Sequence, residues 1–216
     1  MELNTQNLNL DVNVNFSHGK FAFASDANFI NILSLNIQSI RGKLDEIGMI
    51  IDHYKRMNIT IHVIALSEIW IYSNENIYYK IDNYSSFFSN RKSNRSGGCM
   101  ILVHNSISSS ETESIDECGN NILVVKLTNL DINIACVYRQ CTPDSDQFLN
   151  IMETKLLKLK RAIILGDMNL NLAGESEDVF HYLQLIYGYG YMCLNSLEDN
   201  MYTSVSQVTM KNTKHK

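Results

Sequence analysis

Between Phe29 and Leu66 the apolar period of the sequence changes twice, and few architectures accommodate that order. Phe29-Ile30-Asn31-Ile32-Leu33-Ser34-Leu35 is short, β-branched and uncharged, which predicts a buried strand. Leu44, Ile47, Ile51, Tyr54 and Met57 then recur at helical spacing, predicting an amphipathic helix from about Lys43 to Asn58. Ile61-His62-Val63-Ile64-Ala65-Leu66 returns to a buried strand. A strand–helix–strand unit needs neighbouring strands to bury it and a helix laid on one face, so the chain is expected to fold as an α/β domain.

The middle of the chain adds hairpins to this crossover. Strand-like runs occur at Tyr84–Phe88, Cys99–His104, Asn121–Lys126 and Asp131–Tyr138, with Thr128-Asn129 as a turn between the last two. A helix is predicted from Asp144 to Lys160, then a buried strand Ala162–Leu165, a helix from Ser176 to Tyr187, and a short strand around Tyr191–Leu194. Hairpins beside crossovers predict mixed sheets rather than one all-parallel sheet. Residues 1–28 read as a polar extension, in which the alternations Leu8-Asn9-Leu10 and Val12-Asn13-Val14 admit a strand although such a polar start more often frays. Residues 29–195 form the domain, and residues 196–216 a polar basic tail.

Composition bears on partners. The chain of 216 residues has 45% hydrophobic residues and one proline, enough apolar surface for a core and too little Pro and Gly for a disordered chain. Its net charge of -5 means that contact with nucleic acid must rest on local cations or on a metal ion, not on the average field. The local cations are Arg91, Lys92 and Arg95 in a loop, and Arg139 beside Tyr138; Lys155, Lys158, Lys160 and Arg161 read as a solvated helix face. Cys99, Cys118, Cys136, Cys141 and Cys193 lack the spacing of a zinc site or disulfide framework, and predict free thiols in a reducing, intracellular setting. No stretch is long and apolar enough to suggest a membrane span, and the chain is expected to act as a monomer.

Polar groups stand where the apolar strands end. Asn36 follows the first strand, Glu68 the second, Tyr138 the hairpin, and Asp167 with Asn169 the later strand. Strand ends hold side chains rigidly along a common rim. Each residue also admits a plain structural role: Asn36 as a helix cap, Glu68 as a solvated loop charge, Tyr138 as a core tyrosine, and Asp167 with Asn169 as an Asx turn. As a set they suit phosphoester hydrolysis. Carboxylates are hard ligands for magnesium, a second carboxylate can deprotonate water, and amides can stabilise the phosphorane-like oxygens. Trp70 is expected to pack beneath the site, and His62 to be a satisfied core histidine.

Five segments then appear in order: Leu35-Asn36-Ile37-Gln38-Ser39-Ile40-Arg41, Leu66-Ser67-Glu68-Ile69-Trp70, Arg95-Ser96-Gly97-Gly98, Val137-Tyr138-Arg139 and Leu165-Gly166-Asp167-Met168-Asn169. Together, from about Phe29 to Asn195, they resemble the endonuclease/exonuclease/phosphatase superfamily. The wording is most similar to the apurinic-type endonuclease domain of LINE-like (non-LTR) retrotransposons. The resemblance implies a four-layer α/β sandwich of the DNase I-like type and a Mg2+-dependent (or Mn2+-dependent) DNA-nicking site. It implies Asn36 near the phosphate and the metal, Glu68 as metal ligand, and Tyr138 as phosphate or metal-site partner. It further implies Asp167 as activator of the water and Asn169 as stabiliser of the transition state. A functional retroelement endonuclease implies a nuclear location; otherwise the expectation is cytoplasmic.

The family's last strand carries an Asp-His motif with no counterpart here. His181 falls in the last predicted helix, His215 in the lysine-rich tail without a preceding Asp, and Thr203-Ser204 lacks the Arg of a Thr-Arg motif. The chain is therefore expected to be truncated before that strand. The alternative expectation is a catalytically dead, folded remnant that binds nucleic acid or protein.

Overall fold

The structure, a computed structural model, describes residues 11–16, 29–89, 96–141, 145–172, 174–193 and 209–211. Phe29–Asn36 forms β2, Leu44–Arg56 the helix α1, and Val63–Ser67 β3. β2 and β3 are parallel, Ile32 opposite Val63 and Asn36 opposite Ser67, so the expected crossover unit is present. α1 carries Asp45 and Glu46 in its first turn and Lys55 and Arg56 in its last, both favourable to the helix dipole.

Two sheets are built around this unit. The first has five strands: β1 (Asp11–Phe16), β2, β3, β5 (Cys99–His104) and β4 (Tyr84–Ser89), in that spatial order. The second has six, formed by β6 (Ser109–Glu117), β7 (Asn120–Leu127), β8 (Ile132–Tyr138), β9 (Ala162–Asp167), β10 (Tyr191–Cys193) and β11 (Thr209–Lys211). Its order is β10-β11-β9-β8-β7-β6, and β8 and β9 are parallel.

Three apolar clusters hold the layers. Ile32, Val63, Ala65, Ile101 and Val103 face Leu123, Val125, Ile134, Ile163 and Leu165 between the sheets. Leu33, Leu35, Ile64, Leu66 and Met100 bury the outer face of the first sheet against Ile47 and Tyr54 of α1. On the outer face of the second sheet, Val124, Ala135 and Ile164 pack with Phe148 and Ile151 of α2 (Ser145–Ile151) and Tyr182 and Ile186 of α3 (Glu177–Gly188). The result is helix, sheet, sheet, helix: a mixed α/β sandwich of the DNase I-like type, as the resemblance implies. Among the described residues no helix is long and apolar enough to cross a membrane.

Some elements depart from the sequence pattern. Asp11–Phe16 lies within the stretch that reads as a polar extension, yet pairs in parallel with β2, Val12 opposite Ile30 and Val14 opposite Ile32. Thr209–Lys211, in the polar tail, pairs with β9 and β10. β6 reads as a polar loop because only Ile115 on it is buried; it is an edge strand with Glu111, Glu113, Asp116 and Glu117, charges that discourage edge-to-edge pairing. The helix expected to reach Lys160 gives way to a π turn at Met152–Leu156. There Thr154 Oγ1 donates back to Asn150 O at 2.7 Å and Leu157 N–H reaches Met152 O at 3.0 Å. Ser73–Tyr78 forms a 3-10 turn without a periodic apolar signature.

Candidate active site

Because β2 and β3 are parallel, Asn36 and Glu68 emerge at one edge of the first sheet. Because β8 and β9 are parallel with Tyr138 opposite Asp167, these two emerge side by side from the second sheet. The edges meet at Asn36, whose side-chain Nδ2 donates to Glu68 Oε1 at 2.7 Å and to Asp167 Oδ2 at 2.6 Å. One amide nitrogen thus bridges two carboxylates from different sheets.

Each carboxylate has further partners. Glu68 Oε2 accepts the indole N–H of Trp70 at 3.0 Å. Asp167 Oδ1 accepts the backbone N–H of Asn169 at 2.9 Å, the Asx-type turn open to this sequence. Asp167 is 3% exposed. Burial raises its pKa above the ordinary carboxylate value and the nearby charge of Glu68 adds to this, while the bonds from Asn169 and Asn36 pull the other way.

The loops that carry these groups are conformationally unusual. Gln38, Ser39, Glu68, Trp70 and Asn169 all have positive φ, a cost of order 1–3 kcal/mol each that persists only where the surroundings fix the backbone. Here they do. Ser39 N–H donates to Glu68 O at 2.7 Å, Ile40 N–H to Ile69 O at 3.0 Å and Trp70 N–H to Gly97 O at 3.0 Å. Gly166, at φ +126°, is obligatory, since a Cβ there would lie 1.9 Å from Val137 O. At Gly97 a Cβ would come within 2.8 Å of the Tyr138 ring.

The second sheet adds a residue that the sequence pattern does not single out. Asn121, fully buried and opposite Tyr138, accepts the Gly98 N–H at 2.9 Å and so pins the Gly97-Gly98 loop. Its signal is an asparagine opening an otherwise apolar strand. Arg139, named above as a candidate phosphate-binding cation, is instead 3% exposed and points inward. Its guanidinium donates to Met168 O at 3.4 Å, Asn169 O at 3.2 Å and Ser145 Oγ at 3.0 Å, beside Asp178 at 3.7 Å and over the Phe148 ring. Asn169 Nδ2 in turn donates to Arg139 O. The unpaired carbonyls of the Met168-Asn169 turn explain why this cation is drawn in. Arg91, Lys92 and Arg95 lie outside the described residues.

Trp70 also departs from expectation. It is not beneath the site but beside it, 36% exposed, with its N–H on Glu68. His62 accepts Asn31 N–H on Nδ1 at 3.1 Å, far from the rim at the start of β3, and burial together with His104 lowers its pKa. The cysteines described at positions 99, 118, 136, 141 and 193 are all free thiols.

The family model described as Endonuclease/Exonuclease/phosphatase family matches residues 33–181. The fold is similar to a 3′ phosphatase, NExo, from Neisseria bound to product DNA hairpin, at TM-score 0.59 and 9% identity over 84% of this chain and 86% of that one. It is similar to an AP endonuclease from Archaeoglobus fulgidus, at TM-score 0.57 and 15% identity over 83% of this chain and 86% of that one. It is also similar to the endonuclease domain of TRAS1, a telomere-specific non-LTR retrotransposon, at TM-score 0.51 and 15% identity over 84% of this chain and 85% of that one. At these identities the likeness is one of fold. A comparison with curated proteins finds no match. The matched span holds β3, β8 and β9 together with Asn36, Glu68, Tyr138 and Asp167, and on that ground the chain belongs to the endonuclease/exonuclease/phosphatase family.

Proposed function

We propose that the chain is a phosphodiester hydrolase that nicks DNA, of the kind carried by non-LTR retrotransposons, and that it works with Mg2+ or Mn2+. The observation that carries this reading is the single amide of Asn36 shared by Glu68 and Asp167. Two carboxylates converge on one rim with a neutral donor between them, an arrangement that favours a cation. The groups at the rim are two carboxylates and one amide, a hard and sparse set of oxygen donors. That suits magnesium, which commonly takes one or two carboxylates and completes its shell with water and phosphate oxygens. Glu68 and the Asn36 amide are the residues that would hold it. The ion would supply neutralisation of the scissile phosphate and of charge on the leaving oxygen.

The chain's own groups divide the remaining work. Asp167 takes the proton of the attacking water at its carboxylate, and burial makes it a stronger base than an exposed aspartate. Asn169 spends one N–H on Arg139 O and keeps the other for a phosphate oxygen. Tyr138, in register with Asp167 and packed in the core between the sheets, supports this end of the rim from below.

One observation favours a second reading, a folded binder that does not cut. Among the described residues no histidine joins the rim: His53 and His181 sit on helices, His62 precedes β3 and His104 closes β5. Nicking of supercoiled plasmid by purified protein, with Mg2+ and with EDTA, decides between them. Mg2+-dependent nicking, reduced at least about a hundredfold in Glu68→Ala and Asp167→Ala, supports the hydrolase. A cooperatively folded sample that binds DNA and leaves the plasmid intact supports the binder.

A further inference from the structure

Along residues 68–72 burial alternates. Ile69 and Ile71 are buried, whereas Glu68 is half-buried and Trp70 and Tyr72 are exposed, so the carboxylate and the two aromatic side chains all reach solvent within one short segment. The Trp70 indole spends its N–H edge on Glu68 Oε2, leaving its ring for solvent. Its backbone is fixed at φ +53° by the bond to Gly97 O, an arrangement a core tryptophan does not need. Tyr72 N–H donates to Glu75 Oε2 at 2.8 Å, and Glu75 pairs with Arg41, so the segment is tied to the loop after β2. Of the nine large apolar side chains exposed among the described residues, four (Trp70, Tyr72, Ile77 and Tyr78) fall in this one stretch. Such clustering marks a contact surface rather than chance exposure.

We propose that Trp70 and Tyr72 form a stacking ledge for unpaired bases, so that the strand delivered to Glu68 is single-stranded or locally unpaired nucleic acid. This rests on the hydrolase reading for what happens next, but not for binding. The chain carries net charge -5 and its rim two carboxylates, so phosphate attraction alone supplies little affinity. A base offers a neutral π-face that an acidic surface does not repel, and aromatic stacking tolerates any sequence. Within a duplex those faces are already stacked, which makes the ledge selective for unpaired strands. The indole N–H links the two functions: the ring that receives a base is the one that orients the carboxylate.

Trp70 is the sole tryptophan of the chain, so its fluorescence reports the ledge directly. The full chain is titrated in EDTA with a thymidine oligonucleotide and with the same strand annealed to its complement, and affinity is read independently by anisotropy of a labelled oligonucleotide. The expected result is quenching by the single strand, with affinity roughly tenfold above that for duplex. Trp70→Ala should lose about that tenfold preference and Trp70→Phe recover most of it, since Phe stacks but cannot bond Glu68. Equal affinity for both forms, or single-strand binding without quenching, overturns the ledge. If plasmid is nicked while single strands show no preference, the ledge falls and the hydrolase stands. Single-strand quenching without any nicking keeps the ledge and removes the hydrolase, and absence of both removes both.

Discussion

Asn36 Nδ2 lies 2.6 Å from Asp167 Oδ2, joining residues 131 positions apart and the five-stranded sheet to the six-stranded one. The same nitrogen bonds Glu68, so Asn36→Ala leaves two carboxylates facing each other without the donor they share. Stability in EDTA should fall by about 1.5–3 kcal/mol in urea unfolding, the range for hydrogen bonds to charged groups. Added Mg2+ should recover more of the loss in this variant than it adds to Glu68→Gln, which thermal unfolding with and without the ion would show.

Asp167 should make stability depend on pH with a definite sign. Burial holds its pKa in the folded chain above the ordinary aspartate value, so the folded state holds this proton more tightly than the unfolded state. The resulting stabilisation is complete below the unfolded value and disappears as pH rises through the folded one. Asp167→Asn removes that titration. Wild type should therefore gain stability relative to the variant as pH is lowered from about 7 to about 4 in EDTA, with the difference read from urea midpoints.

Arg139 separates a structural cation from a phosphate contact. Arg139→Met orphans the carbonyls of Met168 and Asn169 and should cost about 2–4 kcal/mol. Plasmid nicking should fall as the Asp167–Asn169 turn loosens. The slope of DNA affinity against salt should not change, because a side chain buried this deeply neutralises no phosphate. A slope reduced by about one charge would return Arg139 to the nucleic-acid interface.

Gly166 is the least replaceable residue at the rim. At φ +126° with Val137 O in the path of any Cβ, Gly166→Ala must displace β9 from β8. We expect loss of several kcal/mol and no cooperative transition near 37 °C, beyond the roughly 1 kcal/mol typical of a glycine replacement. Gly188→Ala, where a Cβ meets nothing, serves as the control and should leave the thermal midpoint near that of wild type.

What could be read from the sequence follows the strength of the apolar signal. Asn36, Glu68 and Asp167 stand out because each breaks a short run of β-branched and leucine residues, and parallel pairing then brings their strand ends together. β6 is invisible to the same logic, since an edge strand with one buried residue has no apolar period. β1 is short of signal because Val12 and Val14 alternate with polar neighbours near a chain end, and only pairing with β2 recruits them. Trp70 and Arg139 invert their usual tendencies. An indole defaults to the core, yet a positive φ turns this one outward; a guanidinium defaults to the surface, yet two turn carbonyls draw this one in.

The carboxylates arise from opposite slabs of the sandwich, and among the described residues few polar contacts cross the seam between them: besides Gly98 N–H to Asn121 Oδ1, Ser89 Oγ donates to Ile115 O at 2.9 Å. Cys136 Sγ reaches Leu66 O at 3.4 Å and Cys99 Sγ reaches Asn121 O at 3.6 Å. A slip of one slab over the other by a fraction of a hydrogen-bond length disconnects Asn36 from Asp167 while leaving both ladders intact. On the proposed function, the rim acts as a vernier on the alignment of the two slabs: a small slide would cost the Asn36–Asp167 bond before any strand lets go of its neighbour.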